Sequence, residues 1–181
     1  MPSDRHWAAA LAEHDAAVRG FLELCDRIGA DEWQRAPAAG QWTPAAIALH
    51  LCQTYEMGAD EERRSAGMRM KVSPGRARAV RALILPWIIA TSRFPRVRAP
   101  REVAPDETES KAVTRQAAAE RLRRASHGCG AAMHRIARDD PAFRFTHAYF
   151  GPLPPYRILR LLSAHTRHHT RQLARVMAAP S

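Results

Sequence analysis

Apolar residues recur at steps of three and four along most of this chain, a spacing typical of helices that bury one face. Strand-like alternation is scarce. The pattern predicts four long helices and one shorter helix, over residues 4–28, 44–64, 74–92, 111–138 and 154–178. The first helix is the clearest case, with a buried stripe formed by Trp7, Leu11, His14, Val18, Phe21, Leu22 and Cys25.

Capping and turn residues divide these segments. Thr43 suits the position that caps a helix, and Pro44 suits its first turn, where a missing N–H costs nothing. Gly29 suits the end of the first helix. Residues 94–110 contain three prolines and predict a loop.

Long amphipathic helices joined by loops pack most economically as a bundle. The sequence therefore predicts an all-α fold, a four-helix bundle with one additional shorter helix. A length of 181 residues is enough to bury one core, so a single domain over 1–181 is expected, with the extra helix and the proline-rich loop at about 68–110. A composition of 46% hydrophobic and 25% charged residues is ordinary for a globular protein.

No segment predicts a membrane span or a secretory signal. The longest apolar run, residues 82–90, has about half the length that a bilayer requires, and Pro86 interrupts it. The three cysteines Cys25, Cys52 and Cys129 are scattered and odd in number, which argues against a disulfide framework and against a thiolate zinc site. We therefore expect a cytoplasmic protein with buried free thiols and no membrane partner.

The formal net charge of +10 would suit an anionic partner. However, the basic residues are nearly all arginine and are spread along the whole chain. An arginine- and alanine-rich composition is also what a GC-rich coding sequence tends to produce. The charge therefore gives little support to a nucleic-acid-binding protein, which we keep as the weakest of three functional hypotheses.

The last helix contains a pair of histidines on its inward face. His165 and His169 are one turn apart, so both imidazoles can bind a single metal ion. The adjacent His168 falls on the flank of this helix. Metal binding and two hydrogen-bonded core imidazoles both remain open as explanations of the pair. The inward face itself follows the spacing of Ile158, Leu162, His165, His169, Gln172 and Val176.

A third imidazole is available on the second predicted helix, where His50 lies on an apolar face. Three neutral imidazoles with one coordination position left open are typical of a reactive metal site. A lone core histidine is the alternative for His50. Among the other histidines, core packing is the expected role of His14, with a fourth metal ligand as the alternative, and His6, His127 and His134 are expected at structural or exposed positions. For His147, in the segment before the last helix, a place in a pocket wall is one interpretation and an ordinary loop position is the other.

Three motifs carry a resemblance to a known family. They are the QWTP segment of residues 41–44 that leads into His50, the HTRHHTRQL segment of residues 165–173, and the FGPL segment of residues 150–153. The chain resembles the DinB/YfiT-like superfamily of metal-binding four-helix bundles, and the last motif is similar to one uncharacterised branch of it. The resemblance implies that His50, His165 and His169 are the metal ligands, for zinc, nickel or iron.

The resemblance also implies an activity. Characterised relatives include transferases and isomerases that use low-molecular-weight thiols such as bacillithiol, mycothiol or glutathione. The first hypothesis is therefore a divalent-metal-dependent enzyme, a thiol S-transferase or hydrolase acting on a small-molecule substrate. The second is a non-catalytic metal- or ligand-binding bundle. An outer face of the bundle leaves room for a homodimer, although no interface signature is present. The sequence assigns no role to His147, His168 or the 68–110 insertion.

Overall fold

Four long helices form the body of the protein in the computed structural model, which describes residues 2–95 and 98–178. They are α1 (Asp4–Cys25), α3 (Pro44–Ala59), α7 (Arg115–Asp139) and α8 (Pro155–Met177). Helix α1 lies along α8 and α3 lies along α7, while α7 contacts α1 and α8 and so joins the two pairs. The all-α four-helix bundle that the apolar spacing predicts is confirmed.

The bundle core is filled by large side chains from all four helices. Helix α3 is buried on most of its surface, and one of its residues allows an unusually close approach to α7. A Cβ atom on Gly58 would lie 2.5 Å from Cys129 Sγ, so only glycine permits this separation of the two helices. The side chains that are completely or almost completely buried include Phe21, Ile47, Leu51, Tyr55, Leu122, Met133 and Leu159.

The additional helix of the prediction is α5 (Pro74–Thr91), which packs against α8 outside the four-helix body. Ser73 caps it, since its hydroxyl accepts a hydrogen bond from the Arg76 amide at 3.5 Å. The helix ends at Ser92, whose left-handed backbone (φ 53°) turns the chain back toward α8. Helix α5 therefore lies on the outside of the bundle, against α8.

Two predicted boundaries around the second helix and the proline-rich loop are wrong. Helix α3 ends at Ala59 because the Asp60 carboxylate caps a separate helix, α4 (Glu61–Ala66), by accepting from the Arg63 amide at 2.8 Å. The predicted loop over 94–110 contains a 3₁₀ turn (Arg101–Val103) and the start of α6 (Glu107–Ala112).

Caps also explain the start of the fourth long helix. The predicted start at residue 111 is wrong because Thr114 caps α7 and its hydroxyl accepts from the Ala117 amide at 3.1 Å. Residues 107–112 form α6 instead, capped by the Asp106 carboxylate. The first helix also ends early, at Cys25, and Gly29 begins the short helix α2 (Ala30–Trp33).

The segment before α8 contains a short hairpin. Strand β1 (Phe145–His147) pairs antiparallel with β2 (Gly151–Leu153), with His147 opposite Gly151. Gly151 adopts φ 66°, which glycine reaches without strain. Within residues 2–95 and 98–178, no helix has the length and apolar character that crossing a membrane requires.

Candidate metal centre

Three histidine side chains from two helices converge inside the bundle. His50 comes from α3, and His165 and His169 come from successive turns of α8. The Nε2 atom of His165 lies 3.2 Å from Nε2 of His50 and 2.9 Å from Nε2 of His169. The structure therefore brings together the three residues that the sequence singles out, with their ligating nitrogens within 4.8 Å of one another.

The other ring nitrogens of two of these histidines are fixed by oxygen acceptors. His50 Nδ1 lies 2.6 Å from the carbonyl oxygen of Val103, and His169 Nδ1 lies 2.8 Å from Oε1 of Gln172. A carbonyl oxygen can only accept, so each Nδ1 carries the proton and donates it. The Nε2 lone pairs of His50 and His169 therefore point at the centre, the arrangement that metal-binding histidines adopt.

Hydrogen bonding within the trio leaves lone pairs unsatisfied. His165 Nε2 touches both neighbouring Nε2 atoms and in the neutral ring can hold one proton at most. One proton shared between two acceptors makes two weak hydrogen bonds in a buried place, where incomplete pairing is costly. An electron-pair acceptor placed between the three nitrogens would satisfy all of them.

The spacing of the nitrogens fits such an acceptor. Nitrogens about 2.0–2.1 Å from one ion, at tetrahedral to right-angled geometry, lie roughly 2.8–3.4 Å apart. The two separations of 2.9 and 3.2 Å fall within this range. Imidazole suits zinc, nickel and iron alike, so the donor set does not choose between them.

Burial keeps these histidines neutral. It lowers the pKa of His50 to about 4, although the hydrogen bond to Val103 opposes the shift. Burial also lowers the pKa of His165 and of His169 well below 6.5, and repulsion between the neighbouring imidazoles lowers both further. The neutral form is the one that binds metal, so no proton has to be displaced near neutral pH.

Aromatic rings flank the centre on two sides. The Trp42 ring lies 5.0 Å from that of His50 and 6.3 Å from that of His169. The Phe94 ring lies 5.3 Å from that of His165. Trp42 directly precedes the Thr43 cap of α3, so the QWTP motif both starts this helix and brings an indole to the centre. The rings thus form apolar surfaces on two sides of the site.

The remaining side of the centre opens into a large pocket. The cavity has a volume of about 1800 Å³, and all three histidines line it. His165 is only half-buried, whereas His50 and His169 are buried. The insertion also lines the pocket, and Val80, Ile84, Trp87 and Ile88 of α5 are among its residues there. The centre is therefore accessible to a small molecule through this pocket.

Two further histidines line this pocket without joining the trio. His168 is half-buried beside Phe94, with 5.1 Å between ring centres, on the flank that the helical spacing predicts. His147 on β1 accepts a hydrogen bond from the Tyr149 amide at its Nδ1 (3.2 Å) and packs on Phe150. Burial lowers the pKa of His147 to about 4, so the ring is neutral near pH 7. Because Nδ1 accepts a hydrogen bond, the single proton is on Nε2.

The histidines outside the pocket occupy ordinary positions. His14 is buried in the core, with its Nδ1 3.2 Å from the Asp15 carboxylate and its ring against Tyr55. It is no part of the trio. His6 and His127 are exposed, and His134 packs against Trp7 at the surface. The three free cysteines are buried, and burial raises the pKa of each thiol to about 12, so none is a ready nucleophile.

Sequence reasoning missed the acceptors that orient the trio. Gln172 was identified only as part of the inward face of α8, although its position three residues after His169 carries the necessary signal. Val103 had no such signal, because its carbonyl oxygen comes from a turn 53 residues after His50. Backbone acceptors cannot be read from residue type.

These features define the class of protein: a helical bundle with a histidine trio of metal-site geometry at the floor of a pocket. The chain matches the family model of the DinB superfamily over residues 13–173 and belongs to that superfamily. No curated protein and no solved structure was found to match the chain.

Proposed function

We propose that this protein is a divalent-metal-dependent enzyme that transfers a low-molecular-weight thiol to a small electrophile at the centre formed by His50, His165 and His169. The observation that carries the proposal is the convergence of three Nε2 atoms at 2.9 and 3.2 Å on the floor of an open pocket. When bound, a divalent ion lowers the pKa of a coordinated thiol or water and so supplies a thiolate or hydroxide near neutral pH.

The pocket supports an enzyme over a structural metal site. Structural zinc sites are closed by four protein ligands, whereas catalytic sites have three and an open position. The described chain offers three ligands in one group, and the half-buried His165 faces the cavity. A cavity of about 1800 Å³ has room for a thiol and an electrophile together.

The residues around the trio have definite tasks in such a reaction. Val103 and Gln172 hold the imidazoles of His50 and His169 in the ligating tautomer. Trp42 and Phe94 present apolar surfaces on two sides. The neutral His147 ring presents its Nε2–H as a donor for a polar group of the electrophile. In the overall transfer the sulfur bonds to the electrophilic carbon, the leaving group departs with its bonding electrons, and the thiol proton passes to water.

Elemental analysis of untagged, chelator-free protein tests the metal. We expect about one equivalent of zinc, nickel or iron in the wild type, or after metal is added back, and none in the His50→Ala/His165→Ala/His169→Ala variant. His127→Ala is the matched control because it removes one exposed histidine outside the site. Metal that persists in a folded triple variant would contradict the assignment.

Cobalt substitution tests the open position. A small thiol that enters the coordination sphere of bound cobalt changes its visible absorption. A spectrum that no thiol alters would favour the non-catalytic metal-binding bundle instead. A positive titration justifies a screen of electrophiles for thiol transfer, with loss of free thiol as the readout.

A further inference from the structure

Among the described residues that line the pocket of the histidine trio, all the permanently charged ones are arginines. Five arginines face it, and among the described residues that line it there is no aspartate or glutamate. A cleft lined by one sign of charge focuses the field and concentrates ligands of the opposite sign. The five are Arg76, Arg93, Arg98, Arg171 and Arg175.

Three of these residues, Arg93, Arg171 and Arg175, form an arginine cluster where the end of α5 meets α8. The guanidinium of Arg171 is held in place because it donates to the backbone carbonyl of Ser92. Arg175 follows Arg171 by one turn of α8, and Arg93 directly follows Ser92, so the three side chains line the same part of the pocket. Like charges gathered in this way repel one another, and a bound anion would relieve the repulsion.

Carboxylates compensate other arginines of α8 but not this cluster. Arg167 lies 2.7 Å from Glu13 Oε1, and Arg160 lies 3.5 Å from Glu13 Oε2. Within residues 2–95 and 98–178, no carboxylate lies within 4.0 Å of a guanidinium nitrogen of the arginine cluster. Its charges therefore remain available to a ligand.

The geometry of α8 fixes how far apart its arginines and histidines lie along the helix axis. Arg171 and Arg175 follow His169 by two and six residues, which at 1.5 Å per residue is roughly 3 and 9 Å along the helix axis. The apolar side chains of Ile84 and Trp87 line the pocket beside this path. The pocket thus combines the arginine cluster, apolar side chains and the histidine trio in one lining.

We infer that the arginine cluster is an anion-binding subsite, which holds a carboxylate or phosphate group of an elongated substrate whose reactive end lies at the histidine trio. The position of the reactive end rests on the proposed function, whereas the anion site does not. Guanidinium groups bind both kinds of anion in a bidentate manner, so carboxylate and phosphate share the recognising chemistry.

Three thiols of matched length test the subsite in cobalt-loaded protein: 6-mercaptohexanoate, 6-mercaptohexyl phosphate and 6-mercaptohexanol. Dissociation constants come from the change in visible absorption. We expect at least one of the two anionic thiols to bind the wild type about tenfold more tightly than the alcohol. The tighter of the two identifies the preferred anion.

Substitutions show where this preference originates. Arg171→Gln/Arg175→Gln should weaken binding of the preferred anionic thiol about tenfold and leave that of the alcohol unchanged. Arg123→Gln/Arg124→Gln is the matched control, since it removes two charges from exposed positions on α7 outside the pocket. The inference would be overturned if wild type and both variants preferred the anionic thiol over the alcohol equally. It would also be overturned if both variants lost the same affinity for the anionic thiol.

A second arm uses metal-free protein, so that failure of the subsite and failure of the proposed function can be told apart. Calorimetry with inorganic pyrophosphate should show binding to the wild type and the control pair, weakened about tenfold in Arg171→Gln/Arg175→Gln. Absence of a cobalt spectrum together with this result would remove the metal enzyme and keep the subsite. The opposite result is that thiols bind cobalt normally but without an anion preference, and that pyrophosphate binds the variant as well as the wild type. This result would keep the metal enzyme and remove the subsite.

Discussion

His14 and His50 are both buried histidines on inward helix faces, yet their surroundings differ in every respect that matters for metal binding. The side chain of His14 is 1% exposed and that of His50 is 4% exposed. His50 donates from Nδ1 to a buried carbonyl at 2.6 Å and directs Nε2 at two other imidazoles. His14 contacts the exposed Asp15 at 3.2 Å, and among the described residues none forms a hydrogen bond with its buried Nε2.

This contrast separates burial from the other features that make His50 a candidate metal ligand. Burial lowers the pKa of both histidines and keeps both neutral. Only His50 has both a fixed tautomer and a second imidazole nitrogen close to its Nε2, that of His165 at 3.2 Å. His14 instead packs its ring edge to face against Tyr55 and occupies volume in the core. The neighbours of a buried histidine, and not its exposure, decide what it does.

The largest expected effect separates the two residues directly. His50→Ala removes one of the three proposed ligands and should weaken metal binding by more than about 100-fold, beyond the loss that follows from an outer hydrogen-bond partner. His14→Ala should leave metal affinity within about twofold, because His14 contacts none of the trio. Competition with a chromophoric chelator measures both constants. Equal losses in two folded variants would mean that His50 acts through packing.

The next effect concerns the acceptor that orients His169. Gln172→Leu removes the oxygen that holds Nδ1–H at 2.8 Å, and metal affinity should fall by about 10- to 100-fold. Gln172→Glu is the matched control, since its carboxylate can still accept the hydrogen bond and should restore most of the affinity. The same chelator competition measures both variants. A loss in both would indicate that Gln172 matters for its shape alone.

Helical periodicity predicted most of this fold and the inward pair His165 and His169, whereas the assignment of His50 as the third member of the trio came from the family resemblance. Long amphipathic stretches fix helices because burial of one continuous face outweighs local preferences. Boundaries were less predictable, because a single cap such as Asp60, Asp106 or Thr114 can divide a segment whose apolar spacing continues. The same spacing placed His165 and His169 inward and His168 on the flank.

The pocket was not predictable from the same signals. Part of its lining is the insertion at about 68–110, whose helix α5 shows an apolar face but not which part of the bundle that face will meet. The carbonyl of Val103 and the assembly of Arg93 with Arg171 depend on contacts across about 50 and 80 residues of chain. Long-range contacts of this kind follow from packing, which local sequence patterns do not specify.

A smaller effect exploits the buried ring of His14. In the folded state burial lowers the pKa of His14 below 6.5, and the weaker influence of Asp15 raises it. Tyr55, which packs against the His14 ring, is neutral at these pH values. As the pH falls below 6.5, the unfolded chain takes up a proton at this position and the folded chain does not. Stability is therefore lost with falling pH, by up to about 1.4 kcal/mol per pH unit from this group.

His14→Leu removes this dependence. In metal-free protein, urea unfolding at pH 7.5 and at pH 5.0 should show a smaller loss of stability in the variant than in the wild type. His127→Leu, at an exposed position, should follow the wild type. The other buried histidines contribute equally to all three proteins and cancel. If wild type and His14→Leu lose the same stability, the folded protein must protonate His14 as readily as the unfolded chain does.

The expected effect of His147 on metal affinity is as small as that of His14, and it distinguishes a residue that lines the pocket from one that binds an ion. His147 resembles the ligands in having a pKa lowered by burial and one nitrogen tied to the backbone. It differs because the tied nitrogen accepts, so Nε2 carries the proton and offers no lone pair. His147→Gln should therefore leave metal affinity within about twofold, while weakening the binding of electrophiles that accept a hydrogen bond. A tenfold loss of metal in this variant would place His147 among the ligands, with the opposite tautomer.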